Sequence, residues 1–124
     1  MGFRVIAIPE AENGIDIDLL REKLDGLQED KCQIRFFYII TVNNPTCTII
    51  NTQTVQSLVQ IGTQLSRELG RKVPLIIDRA YDNLIHGESR SAPQSGFFFD
   101  TLGLVYEIGT LSKILAPSLR IGYH

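Results

Sequence analysis

The sequence predicts an α/β fold, a mainly parallel sheet with flanking helices, and three observations carry that prediction. Apolar runs of strand length alternate with stretches of helical period. Two of the runs, within 34–40 and 73–77, are almost continuously apolar or aromatic, as suits strands covered on both faces. Polar residues fall just beyond the middle strands, where open α/β sheets bind ligands.

The elements follow in order. "FRVIAI" (3–8) is the first predicted strand. "DLLREKLDGL" sets Leu20, Leu24 and Leu27 on one helical face, with Asp18 as the expected N-cap. "QIRFFYII" (33–40) is the second strand. In "NTQTVQSLVQIGTQLSRELGRK", Val55, Leu58, Val59, Gly62, Leu65 and Leu69 recur at intervals suited to a helix. Asn51 or Thr52 caps its start, and Gly70 followed by Arg71 and Lys72 ends it. "VPLIID" (73–78) is the third strand, and "AYDNLI" predicts a short helix after Asp78. The stretch 86–100 reads as a long surface loop, mobile rather than a lid. "LVYEIG" (104–109) and "SLRIGYH" (118–124) complete the strands.

Composition narrows the function. The 124 residues suit one domain with a real core, and 44% hydrophobic with 21% charged is a soluble globular profile. A net charge of -2 gives no basic face for nucleic acid. No apolar run approaches the ~20 residues of a membrane helix, and the start of the chain does not read as a signal peptide. Cys32 and Cys47 flank a predicted strand and read as reduced thiols of a cytoplasmic protein. His86 and His124 lack ligands at metal spacing, so no metal site is expected.

The polar residues at the strand ends supply the chemistry. Asn44 follows the second strand, Asp78 and Tyr81 the third, and Thr110, Ser112 and Lys113 the fourth, with Arg120 in the last apolar run. Singly, each has an ordinary structural role. Asn44-Pro45 is a turn signal, Asp78 a helix cap, Tyr81 a core aromatic and Lys113 a solvated cation. Together, at the ends of successive strands, an amide, a carboxylate, a phenol and an amine form a constellation.

These motifs resemble the fold-type I enzymes that use pyridoxal 5′-phosphate (PLP), specifically the class I/II aminotransferases. "NNPTC" is similar to the family's Asn-Pro-Thr-Gly turn, "DRAY" to its Asp-x-Ala-Tyr, and "GTLSKILAPSLRIGY" to its Ser-x-Ser-Lys segment followed by Gly-Leu-Arg and Gly-Tyr. The resemblance covers essentially the whole chain. It implies the aspartate aminotransferase-like large domain. It also implies amino-group transfer between an amino acid and a 2-oxo acid. Lys113 would carry the cofactor as a Schiff base and move the substrate's α-proton. Asp78 would pair with the pyridine nitrogen, Tyr81 and Asn44 would bond the phenolic oxygen, and Arg120, Thr110 and Ser112 would hold the phosphate. The chain departs from the pattern at three positions. Cys47 stands where Gly is usual and would either change the turn or need a positive φ, Thr110 replaces Ser, and Ser118 replaces a frequent Gly.

The resemblance also implies that residues 1–124 are part of a PLP-binding large domain, without the N-terminal segment and the small C-terminal domain. Family strand order, 3-2-4-5-6-7-1 with strand 7 antiparallel, leaves 3–8 without its neighbour and 34–40 as an open edge, a hazard for association. The isolated chain is expected to lack transaminase activity and to dimerise, swap elements or aggregate. The resemblance further implies a homo-oligomer. PLP-dependent lyases and decarboxylases share the same residues. So does the aminotransferase-like sensor domain of helix-turn-helix regulators, and a non-catalytic α/β fragment is the plainest alternative.

Overall fold

A computed structural model describes residues 2–87, 91–115 and 117–124, apart from the Leu119 side chain. In chain order the elements are β1 (Glu10–Ala11), β2 (Gly14–Ile15), α1 (Ile17–Gly26), β3 (Phe37–Ile40), α2 (Thr52–Glu68), β4 (Leu75–Asp78), β5 (Val105–Thr110) and β6 (Gly122–Tyr123). The main sheet runs β3-β4-β5-β6, and β1 and β2 form a separate two-stranded ribbon. β3, β4 and β5 are parallel, with Ile40 opposite Asp78 and Asp78 opposite Ile108. β6 returns antiparallel to β5, the direction implied for the last strand.

The core lies between α2 and one face of the sheet. Val55, Leu58 and Val59 of α2 pack with Ile39, Leu75, Ile77 and Val105. The period-2 alternation of strands turns Leu75 and Ile77 toward α2 and sends Ile76 and Asp78 to the other face. There Tyr38 and Tyr106 remain half exposed. Asn51 caps α2, its side-chain oxygen accepting from Thr54 N at 2.7 Å. Past the helix, Gly70 takes φ 64, the left-handed conformation that ends helices. Buried Ser66 ties α2 to the approach to β4: its hydroxyl donates to Gly62 O and accepts from Val73 N.

Several predicted boundaries are corrected. Residues 3–8 form no strand, because no described neighbour offers them a ladder; Phe3 instead packs edge-on against Phe36, centroids 5.4 Å apart. The N-cap of α1 is Asp16, which accepts from Leu19 N at 2.9 Å, while Asp18 lies inside the first turn and pairs with Arg21. The second strand begins only at Phe37, because Gln28–Gln33 close a 3₁₀ segment and Arg71 donates to the carbonyls of Cys32 and Ile34. The helix predicted after Asp78 is one 3₁₀ turn, Asp82–Leu84. The last strand shrinks to two residues after a 3₁₀ turn at Pro117–Leu119.

The loop 86–100 also differs from its prediction. Residues 88–90 lie outside the described residues, but 91–100 are pinned. Gln94 N donates to the Thr52 hydroxyl, Gly96–Phe99 form a 3₁₀ turn, and Phe99 packs on the core. Gly96 sits so close to the sheet that a Cβ there would lie 2.9 Å from Ile77 Cδ1. The expected open edge is present: β3 has β4 on one side and no strand on the other among the described residues.

Candidate functional site

The parallel register brings the carboxyl ends of β3, β4 and β5 to one rim. Beyond β3, the turn 43–47 carries Asn44, with Cys47 N donating to Asn43 O at 2.8 Å. The Asn44-Pro45 peptide is cis, and Cys47 takes φ 59, the positive φ that its place in the motif demands. β4 ends in Asp78. The chain then turns at once, because Ala80 N donates to Asp78 Oδ1 at 2.9 Å, an Asx turn that delivers Tyr81 to the same rim.

The structure brings three of the seven predicted residues, Asn44, Tyr81 and Lys113, into contact, with Asp78 at the neighbouring strand end. The Asn44 amide donates to Tyr81 Oη at 3.4 Å. Lys113 Nζ lies 5.2 Å from the Tyr81 ring centroid, over its face. Asp78 is three residues from Tyr81, on the strand between β3 and β5. Thr110 ends β5, and Ser112 and Arg120 lie in the return between β5 and β6, which is closed by Leu111 N donating to Ile121 O at 3.0 Å. The Thr110 hydroxyl donates to Ile121 O at 2.9 Å and accepts from Ser112 N at 3.1 Å. Its proton is therefore committed, and the hydroxyl must rotate before it can face an anion. Arg120 is exposed, with φ 52.

Two features escaped the reading of the sequence. The first is Tyr38, whose hydroxyl donates to Asp78 Oδ2 at 2.6 Å. Burial, the hydrogen bond to Asp78 and the negative charge there push the phenol up to about 12. Its signal was a lone hydroxyl in "FFYII", two residues before the position opposite Asp78.

The second is a charged cluster behind the site. Arg79 donates from Nε to Asp82 at 2.6 Å, from Nη1 to Glu107 at 2.9 Å and from Nη2 to Pro93 O at 2.8 Å. Glu107 also accepts from Gly96 N, and Asp82 accepts from buried Thr41. Burial works against the Arg79 charge, but Asp82 and Glu107 outweigh it and hold the guanidinium above its usual range. Glu107, a charge inside the apolar run "LVYEIG", was the available signal that a partner had to exist.

The donor set suits PLP. A carboxylate has about four acceptor positions, and the described contacts of Asp78 use two, leaving room for a ring N–H. The phenol and amide already meet at one point, and the amine is against the phenol.

An open α/β sheet with such a rim defines a ligand-binding α/β domain. Comparison with known proteins makes this more specific. Residues 1–124 match the family aminotransferase class I and II. The chain belongs to that family. It is 30% identical over 119 residues to aromatic-amino-acid aminotransferase 1 of Thermococcus litoralis, covering 95% of this chain and 27% of the relative. It is 25% identical over 126 residues to the uncharacterized HTH-type transcriptional regulator YisV of Bacillus subtilis, covering 98% of this chain and 23% of that protein. Among solved structures, an amino transferase from Eubacterium rectale superposes with a TM-score of 0.75 at 27% identity, covering 94% of this chain and 27% of that one. The chain thus spans about a quarter of the length of these relatives.

Proposed function

We propose that the whole protein is a PLP-dependent aminotransferase, moving an amino group between an amino acid and a 2-oxo acid. The supporting observation is the convergence of Asn44, Asp78, Tyr81 and Lys113 at the carboxyl ends of three parallel strands. Bound PLP supplies an aldehyde for exchange with amines and a ring that takes up the electron pair of the substrate's α-carbon. Lys113 Nζ would hold the aldehyde carbon covalently and, when freed, carry the proton to and from that α-carbon. Asp78 would keep the ring nitrogen protonated. Asn44 and Tyr81 would donate to the phenolic oxygen, and Arg120, Ser112 and Thr110 would hold the phosphate.

Context supports a cytoplasmic, self-associating protein. Both cysteines are free and exposed, which suits a reducing compartment. Among the described residues no helix is long and apolar enough to cross a membrane. The open β3 edge and the half-exposed Tyr38 and Tyr106 favour a further copy or segment against this sheet. We propose a homo-oligomer and no transaminase activity for residues 1–124 in isolation.

The similarity to YisV favours a second reading, the cofactor-binding sensor half of a regulator. A turnover assay on the whole protein, with PLP, a panel of amino acids and a 2-oxo acid, separates the two. PLP-dependent amino transfer supports the enzyme. Cofactor binding without turnover, accompanied by DNA binding, supports the regulator.

A further inference from the structure

We infer that Tyr38 is a positioning residue for Asp78, fixing the carboxylate so that its free acceptor positions point where a protonated ring nitrogen is held. The inference rests on the PLP-binding reading above and adds to it a residue that the sequence motifs do not include.

The geometry starts from the ladder. Tyr38 is opposite Ile76, and Ile40 is opposite Asp78. Alternation puts Tyr38 and Asp78 on the same face, diagonal to each other across two parallel strands. That diagonal is within reach of an aromatic side chain, and the phenol spans it to meet Oδ2 at 2.6 Å. The other oxygen, Oδ1, is taken by Ala80 N at 2.9 Å. With one donor on each oxygen, one from β3 and one from the turn after β4, the carboxylate plane is fixed. Remove the phenol and Asp78 keeps only the donor from its own turn, so its outer oxygen can rotate toward solvent.

Burial of the ring alone is a poor account of Tyr38, because the residue is 51% exposed. Its hydroxyl is the part with a defined partner. The phenol titrates at about 12, so it stays a donor through the neutral range. Asp78 can never receive a second negative charge from it there.

The test uses the whole protein and a double-mutant cycle. The readouts are PLP affinity of the apoprotein, from a fluorescence titration, and turnover. Tyr38→Phe keeps the ring and removes the hydroxyl. If Tyr38 acts through Asp78, the Phe variant loses about tenfold in PLP affinity when Asp78 is present. In the Asp78→Asn background the same change costs less than about twofold. Equal losses in both backgrounds, or none in either, would overturn the inference. A third readout needs no cofactor: ¹³C-tyrosine NMR of the apoprotein follows the phenol of Tyr38. It is pushed up to about 12 in the parent and moves down in Asp78→Asn by the part that the hydrogen bond and charge of Asp78 contribute, the part due to burial remaining. An unchanged titration would also overturn the inference, even if the cycle could not be completed for want of folded Tyr38→Phe. Failure of the parent protein to bind PLP at all would instead sink the PLP reading, leaving the titration to decide the Tyr38–Asp78 contact.

Discussion

Asp78 and Arg79 are neighbours in sequence, yet they serve opposite sides of the same strand end. Arg79 turns toward the loop and the core side, where its donors meet Asp82, Glu107 and Pro93 O. Asp78 turns to the open face, where its two oxygens have one donor each. The Arg79 cluster is nearly saturated and only 18% and 15% exposed at the Arg79 and Glu107 side chains. The Asp78 rim keeps unused acceptors and an exposed amine. Polar groups that are fully partnered hold a fold together; polar groups left with spare capacity at a strand end are available for chemistry.

Substitutions on the two sides should therefore fail in different ways. The largest effect is expected from Asp78→Asn in the whole protein. On the proposed PLP reading it removes the charge that would favour a protonated ring nitrogen, so transamination should fall by at least about a hundredfold. Stability should change by no more than about 1 kcal/mol, since the amide oxygen can still accept from Ala80 N while its NH2 donates to the Tyr38 hydroxyl. Steady-state kinetics beside urea unfolding would check both halves, and near-normal turnover would remove Asp78 from the site. Glu107→Ala comes next and should show the reverse pattern. It strips an acceptor from Arg79 and from Gly96 N, and should cost about 3 kcal/mol in unfolding free energy. A loss below about 1 kcal/mol would mean that the cluster is not structural. The smallest effect is Cys47→Gly. At φ 59 a cysteine carries left-handed strain of about 1–2 kcal/mol. Glycine should relieve it and raise stability by about 0.5–1 kcal/mol after its extra chain entropy. A lower urea midpoint would contradict this.

Much of this was legible in the sequence because it depends on local pattern. The helix over 52–68 and its stop at Gly70 follow from period and end signals, which left its cap between Asn51 and Thr52. The three parallel strands follow from short apolar runs followed by polar turns. The positive φ at Cys47 was one of two outcomes implied by the resemblance, which puts glycine at that place. What failed was anything that depends on a partner elsewhere. "FRVIAI" has strand composition but no described neighbour to pair with. The loop 91–100 looked mobile because Arg79 and Glu107, which hold it, lie 11 or more residues away from their contacts in it. Tyr38 read as one more aromatic in a buried strand; only register against β4 reveals that its hydroxyl reaches Asp78.

The central claim is that the rim gathered by β3, β4 and β5 holds PLP through Lys113. The direct measurement is to add PLP to the whole protein, reduce with borohydride and map the adduct by mass spectrometry. The account predicts one dominant modified peptide, carrying Lys113, and its loss in Lys113→Ala. Modification spread over the lysines in proportion to their exposure, or absent from Lys113, would contradict it.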